Sequence, residues 1–228
     1  MTMNKGKWII LLGAPGCGKG TQAEYLINST LEFEAISVGN ILRDSKSTLV
    51  PGQNKTIGEL IGAGMLLPDE IVVELVRREL LKINSVATRN LIFDGYPRTI
   101  GQAEALNVVT NEFGNSISYV LNFEINNEIL LKRILGRYKC LKCGRIYNDY
   151  FLPTKVFSVC DSCGGVDFDR RTDDNKDSLS IRLAEYHEKT YPLIDFYAKS
   201  GILYNINAEA GFEEVRDCIL NILNKESK

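Results

Sequence analysis

The chain has 228 residues, a formal net charge of −2 and the apolar and charged fractions of an ordinary globular protein. This length allows one or two domains with a large buried core. The near-neutral charge does not favour a dedicated nucleic-acid surface, so no nucleic-acid partner is expected.

Short apolar runs alternate with helical periodicity along most of the chain. The runs predict buried strands at Trp8–Leu12, Leu91–Phe93, Ile117–Phe123 and Ile202–Ile206. Amphipathic stretches predict helices at Asp69–Ile83 (with Ile71, Leu75 and Leu80 on its apolar side), Asn127–Leu135, Ser178–Lys199 and Phe212–Leu223. This alternation predicts an α/β fold with a parallel sheet.

The first apolar run bears on location. Trp8–Leu12 is too short to span a membrane, and it leads into glycines rather than a cleavage site. Neither a membrane contact nor a signal peptide is therefore expected. A cytoplasmic, reducing compartment is the expectation, and six cysteines there indicate metal or thiol chemistry rather than disulfides.

A glycine-rich loop follows the first strand and precedes a predicted helix. Its residues are Gly13, Ala14, Pro15, Gly16, Cys17, Gly18, Lys19, Gly20 and Thr21. Glycines let backbone N–H groups converge on phosphate oxygens, the helix N-terminus adds partial positive charge, and Lys19 is placed to reach the β and γ phosphates. The alternative is a glycine-rich turn with a surface lysine, but the strand before the loop and its specified residue types favour a phosphate site.

The position that usually supplies a magnesium-ligating hydroxyl holds Gly20, and Thr21 comes one residue later. Another group must then hold Mg²⁺. Asp94 ends an apolar strand, and ligands of open α/β sheets bind at the carboxyl ends of strands, so Asp94 is the candidate. The alternative is that Asp94 caps the next turn beside Gly95.

Residues from Arg137 to about Asn175 lose helical periodicity and predict a small inserted subdomain. They contain two CxxC pairs, Cys140–Cys143 and Cys160–Cys163, with sixteen residues between them. That spacing predicts a tetrahedral Cys₄ zinc site, which is structural because four thiolates leave no open position. A redox pair would more usually stand alone, and the compartment disfavours disulfides.

Three further residues receive structural interpretations. Cys17 is interpreted as a small packed side chain, with an oxidation-sensitive thiol at a helix N-terminus as the alternative. Cys218 is placed on the apolar side of the last helix, and His187, the only histidine, is interpreted as structural.

Taken with the segment Asp94-Gly95-Tyr96-Pro97-Arg98-Thr99, the loop resembles that of the adenylate kinases, which are nucleoside monophosphate kinases. The segments Ser37–Arg43 and Gly64–Glu70 and the arginines in their order extend the likeness over nearly the whole chain. The cysteine-bearing insert is similar to that of long-lid, zinc-binding adenylate kinases.

This resemblance implies a P-loop kinase core with a five-stranded parallel sheet flanked by helices and carrying two mobile inserts. The implied divisions are core at 1–36, a nucleoside monophosphate-binding insert at 37–67, core at 68–136, a zinc-bearing lid at 137–175 and core at 176–228. The implied reaction is reversible phosphoryl transfer from MgATP to AMP, giving two ADP, with lid closure excluding water. Mg²⁺ and structural Zn²⁺ are the implied metals, and a monomer is expected.

The resemblance also assigns roles to side chains. Arginine offers a planar, permanently charged fork for phosphate oxygens. The residues implied in catalysis are Lys19, Asp94, Arg98, Arg133, Arg137, Arg171 and Arg182. ATP would contact the loop residues 13–21 together with Arg133, Arg137, Tyr147 and Ala210. AMP would contact Val38, Arg43, Met65, Leu66, Leu67, Gly95, Arg98, Gln102, Arg171 and Arg182.

Two residues depart from the family pattern in the acceptor segment. Val38 replaces the family's threonine and Asn40 its aspartate. Since valine has no hydroxyl, one polar check on the base is lost, and the hypothesis is that AMP stays preferred while CMP or UMP turns over measurably.

Two other functions stay open at this point. A UMP or CMP kinase shares the loop but usually has a short lid. A zinc-ribbon adaptor for nucleic acid or protein would account for the cysteines but not for the phosphate loop or for Asp94–Thr99.

Overall fold

The structure, a computed structural model, describes residues 5–52, 54–63 and 65–224. Gly64, which begins one of the segments quoted above, lies outside these ranges. Within them the strands are β1 Trp8–Gly13, β2 Phe33–Ser37, β3 Asn90–Asp94, β4 Ile117–Glu124, β5 Arg137–Cys140, β6 Ile146–Asn148, β7 Phe168–Asp169 and β8 Leu203–Asn207.

Five strands form the main sheet in the order β2-β3-β1-β4-β8, and every neighbouring pair is parallel. The predicted α/β fold with a five-stranded parallel sheet is confirmed. Four strands were predicted to within two residues at either end. The edge strand β2 was not predicted, because it buries only Phe33 and Ile36 of its five residues and so lacks a continuous apolar run.

Helices cover both faces of this sheet. Their bounds are α1 Lys19–Ile27, α2 Val38–Asp44, α3 Ile57–Gly62, α4 Asp69–Lys82, α5 Ile100–Glu112, α6 Asn127–Leu135, α7 Lys176–Glu185, α8 Leu193–Ala198 and α9 Phe212–Leu223. Successive residues of a strand point to opposite faces. On β1, Ile10 therefore packs with α4, α5 and α8, whereas Ile9 packs with α1 and α9.

The inserted subdomain has its own antiparallel sheet of order β6-β5-β7. Its small buried core consists of Cys140, Tyr147 and Cys160, against which Tyr138 and Phe168 pack. These residues lie apart from the two clusters that stabilise the main sheet. The lid segment thus depends for its core on the cysteine-bearing turns.

The helix predicted over Ser178–Lys199 is wrong as a single element. Helix α7 ends at Glu185, a π-helical turn covers Tyr186–Thr190, and α8 begins after Pro192. The Tyr191 N–H bonds to the Tyr186 carbonyl, five residues back. Proline lacks the N–H that would continue the ladder, so α8 begins as a separate helix after it.

Two smaller expectations are also corrected. Cys218 is exposed, so it does not lie on the apolar side of α9, which buries Val215, Ile219 and Ile222 instead. The buried stripe of α4 is Val72, Val76 and Leu80, with Ile71 and Leu75 only partly buried at its edge. No helix in the described ranges is long and apolar enough to cross a bilayer.

Candidate functional site

The glycine-rich loop joins β1 to α1 in a backbone conformation that requires glycine. Gly13 and Gly16 have φ of +142° and +86°. A Cβ on Gly13 would lie 2.8 Å from the Phe123 carbonyl oxygen, and one on Gly16 would lie 2.4 Å from Ile134. The loop therefore packs closely against β4 and α6, and it leads directly into the N-terminus of α1.

Lys19 is the first residue of α1, and its ammonium group bends back over the loop. Its Nζ donates to the carbonyl oxygens of Gly13 and Ala14 at 2.7 and 2.9 Å and lies 3.4 Å from Cys17 Sγ. Cys17 is buried, in agreement with a packed side chain. The positive charge of Lys19 is thus held within the loop that was predicted to bind phosphate.

Arg133, another of the predicted ATP contacts, adjoins this loop. Arg133 on α6 donates from Nη1 to the Cys17 carbonyl at 3.1 Å. Its guanidinium carbon lies over the ring of Phe151, 5.8 Å from the ring centroid. Ala210 lies in the turn after β8, next to Glu209, whose charge acts on Arg133. Burial is the main influence on Arg133 and lowers its pKa.

Asp94 ends β3 directly beside β1 and β2. In register it pairs with Leu11 and Ser37, and the Ser37 hydroxyl donates to Asp94 Oδ2 at 3.3 Å. The carboxylate therefore lies at the carboxyl edge of the sheet, one strand from the phosphate loop. Oxygen donors at this edge suit Mg²⁺.

A cavity that is partly open to solvent lies between α2, α3, the start of α4 and the loop after β3. Nine of the ten residues predicted to contact AMP line it: Val38, Arg43, Met65, Leu66, Leu67, Gly95, Arg98, Gln102 and Arg182. Arg171 is the one that does not. The lining joins apolar side chains to guanidinium groups, as a nucleotide's base and phosphate require.

Arg98 is the most firmly held of these arginines. Its side-chain Nε donates to the Gly95 carbonyl. Its backbone N–H donates to Gln102 Oε1, and its backbone carbonyl accepts from the Thr190 hydroxyl. Burial lowers the pKa of Arg98, repulsion by Arg182 lowers it further, and Asp94 opposes both. Thr190 reaches Arg98 from the π-helical turn, a connection that no sequence pattern indicated.

Gln102, predicted to contact AMP, is almost fully buried, and its side-chain amide makes hydrogen bonds to other protein groups. Its Nε2 donates to Asp69 Oδ1 at 2.7 Å, and the other oxygen of Asp69 accepts from the Thr99 hydroxyl at 2.6 Å. Asp69 is the first residue of α4 and was predicted only as a helix start. Its contact with Gln102 is a further site feature that the sequence did not reveal.

Two arginines, from the inserted subdomain and from α7, pair with neighbouring aspartates, and a third, Arg171, feels the charge of both. Arg137 donates to both oxygens of Asp174 at 2.8 and 2.6 Å, and Arg182 pairs with Asp173 at 3.1 Å. Burial, with repulsion by Arg137 and Arg43, lowers the pKa of Arg171 to about 10. Mutual repulsion among guanidinium groups favours an anion between them.

The two aspartates were not predicted as functional residues. The sequence did contain a signal for them, because they follow Arg171 after one residue. Buried arginines need carboxylates as partners while no phosphate is bound. Asp174 is almost fully buried and also lies 3.7 Å from Arg182. It thereby joins the beginning of the lid to α7.

Cys140, Cys143, Cys160 and Cys163 come together with their sulfur atoms all within 4.8 Å of one another. Two pairs are 3.6 and 3.5 Å apart. Four sulfurs around one Zn²⁺ at about 2.3 Å would lie about 3.8 Å apart, so the arrangement fits that metal. Hydrogen bonds from Tyr147 and from backbone N–H groups outweigh the effect of burial and lower the pKa of the Cys160 thiol to about 6.

Tyr147, predicted as an ATP contact, lies in this cluster instead. The side chain is fully buried, its hydroxyl is 3.3 Å from Cys160 Sγ and accepts from the Asp161 N–H, and its ring stacks on Tyr138. The side chain has no exposed surface, and the contact of Tyr147 with ATP stays a prediction. Tyr147 thus packs between the cysteine-bearing turns.

Comparisons with known proteins agree with this geometry. A sequence model of the adenylate kinase family matches residues 11–202. An adenylate kinase of Paracoccus denitrificans is 40% identical over 217 residues, which cover 95% of this chain and 97% of that protein. One of Borrelia turicatae is 40% identical over 218 residues (95% and 99%), and one of Caldicellulosiruptor bescii is 42% identical over 216 residues (94% and 96%).

Proposed function

The chain belongs to the adenylate kinase family and is an enzyme that transfers a phosphoryl group from ATP to AMP; from this premise we propose which residues perform each part of the reaction. The observation that carries the proposal is the placement of two phosphate-binding groups side by side. The loop with Lys19 lies at the carboxyl edge of the sheet, and the cavity with Arg43, Arg98 and Arg182 opens beside it.

ATP is bound by the loop, residues 13–21, through backbone N–H groups and the helix N-terminus. Lys19 exchanges its bonds to the loop carbonyls for the β and γ phosphate oxygens. Arg133 and the turn containing Ala210 border the same loop and contact the rest of ATP. Family members use Mg²⁺ with ATP, and Asp94 would hold that ion, through water because Gly20 supplies no hydroxyl. When bound, the ion neutralises charge on the phosphates.

AMP occupies the cavity, with its phosphate on Arg43 and Arg98 and its base against Val38, Met65, Leu66, Leu67, Gly95 and Gln102. An AMP phosphate oxygen attacks the γ-phosphorus of ATP, the bond between that phosphorus and the bridging oxygen to the β-phosphate breaks, and ADP leaves with that oxygen. Arg137, Arg171 and Arg182 balance the charge that spreads over the transferred group. Positioning and charge suffice, so no strong general base is required.

The long-lid, zinc-binding subtype is part of the proposal. Residues 137–175 act as a lid whose Cys₄ cluster holds one structural Zn²⁺, and residues 37–67 act as the acceptor insert between the core segments 1–36, 68–136 and 176–228. Closure of the lid brings Arg137 and Arg171 to the transferred phosphate and excludes water, which would otherwise accept it. We further propose that the enzyme works as a monomer in the cytoplasm.

The assignment is tested by replacing phosphate-binding side chains one at a time. Lys19→Met and Arg98→Ala should each lower kcat/KM for ADP formation by orders of magnitude while circular dichroism and the melting temperature stay near those of the wild type. Arg77→Ala is the control, because Arg77 is exposed and pairs with Glu112 at the surface. Wild-type rates in either site variant would refute the site assignment without touching the family membership.

A further inference from the structure

The buried amide of Gln102 is held by two partners of opposite kind. Nε2 donates to Asp69 Oδ1 at 2.7 Å, and Oε1 accepts from the Arg98 N–H at 2.8 Å. An ionised carboxylate only accepts hydrogen bonds, and a peptide N–H only donates. The amide satisfies both partners in one orientation alone. Turning it over would set oxygen against carboxylate and NH₂ against N–H.

Asp69 is itself held in place for this role. The Thr99 hydroxyl donates to its second oxygen at 2.6 Å, and Thr99 also caps α5 by accepting from the Gln102 N–H. As the first residue of α4, Asp69 places its charge at the positive end of that helix. The carboxylate cannot swing away without breaking several contacts.

We infer that Asp69 is a positioning residue that makes the acceptor site select a 6-amino purine over a 6-oxo purine, by locking the orientation of the Gln102 amide. The inference rests on the proposed function, in which Gln102 meets the base of the acceptor. It adds a residue that touches no nucleotide and acts only through Gln102.

The selection follows from the hydrogen-bonding groups of the locked amide that remain without a protein partner. After its two bonds, Gln102 keeps one N–H and one oxygen lone pair, and within the described part of the chain no other group takes them. Adenine presents an amino donor beside a ring-nitrogen acceptor. Hypoxanthine, of nearly the same shape, presents a carbonyl acceptor beside a ring N–H donor, which reverses the order.

The ring cannot compensate by turning over, because arginines fix the phosphate at the other end of the cavity. A locked amide therefore pairs with adenine and opposes hypoxanthine, whereas an amide free to turn over would pair with either. The Arg98 N–H supplies part of the lock through the backbone. Weakening Asp69 should accordingly reduce the selection without abolishing it.

The experiment compares kcat/KM for AMP and IMP in the wild type, Asp69→Asn, Gln102→Ala and Glu70→Gln. Asparagine nearly matches aspartate in shape and can present either oxygen or NH₂ to Gln102, so it keeps the packing and removes only the one-way acceptor. The AMP/IMP ratio should fall about tenfold or more in Asp69→Asn, which is the effect of one mispaired buried hydrogen bond. Glu70, an exposed acid in the same first turn, is the control, and its variant should keep the wild-type ratio.

A merely structural role of Asp69 would lower both rates and leave the ratio unchanged. If the ratio falls in Gln102→Ala but not in Asp69→Asn, Gln102 reads the base and the inference about Asp69 is wrong. If Gln102→Ala also keeps the wild-type ratio, Gln102 does not meet the base, and that part of the proposed function fails as well.

Discussion

Removal of zinc should unfold the lid locally and leave the core of the enzyme folded. Structural zinc contributes on the order of 10 kcal/mol to the folding of isolated fingers. The lid has no large apolar core of its own, since its buried apolar cluster consists of Cys140, Tyr147 and Cys160. The main sheet is stabilised by separate clusters on its two faces, so its folding does not require the metal.

The effect on the whole protein depends on the contacts between lid and core. A loosened lid gives up the Arg137–Asp174 pair and the hydrogen bond from Asn148 Nδ2 to the Arg133 carbonyl. Together these are worth roughly 3 kcal/mol, which corresponds to a fall in Tm of roughly 6–12 °C for a protein of this size. Molecules that remain folded, lid included, should still carry out the reaction.

The assay combines metal analysis of the purified protein with calorimetry and hydrogen exchange, before and after a strong chelator, with Mg²⁺ restored for activity measurements. Protection should be lost within residues 138–169 and kept in the main sheet. Cys163→Ser should behave like the chelated protein. Cys218→Ser, which removes an exposed cysteine outside the cluster, should not. Protein that contains no zinc and has four freely reactive lid thiols would refute the reasoning.

Three other variants test separate contacts of the site. Val38→Thr restores a hydroxyl to the acceptor cavity and should raise kcat/KM for AMP relative to CMP and UMP. An unchanged ratio, or no CMP or UMP turnover in the wild type, would show that Val38 affects only packing and not the choice of base. Thr190→Val leaves the buried Arg98 carbonyl without its donor and should raise KM for AMP by roughly tenfold with little change in KM for ATP, whereas Thr190→Ser should stay near the wild type. Asp174→Ala leaves Arg137 without its buried partner and should lower the free energy of unfolding by roughly 3 kcal/mol, measured by denaturant titration; a change under 1 kcal/mol would show that Arg137 is solvated instead.

Four of the five strands of the main sheet, the phosphate loop and the cysteine cluster could be predicted from the sequence because each is a local pattern. Trp8–Leu12 is a continuous apolar run, and the two CxxC pairs fix their own turns, with Gly144 and Gly164 at positive φ. The acceptor cavity was located only through the resemblance, since its residues are spread over segments that no periodicity connects. Short helices such as α2 and α3 are too brief to show an amphipathic pattern.

What the sequence did not reveal are contacts between distant segments. The Thr190 hydroxyl reaches Arg98 from a π-helical turn, and such turns leave no strong signature in sequence. Tyr147 was predicted only as a contact of ATP. Its burial against Cys160 depends on the fold of the whole insert.

The most direct test is the choice of acceptor by the purified protein. With ATP and Mg²⁺ and each of AMP, GMP, CMP and UMP in turn, phosphorus NMR should show two ADP formed for each ATP and AMP consumed, reversibly, with AMP the best acceptor by kcat/KM. Absence of ADP formation from AMP, or a higher kcat/KM for CMP or UMP than for AMP, would contradict the assignment of the cavity to AMP.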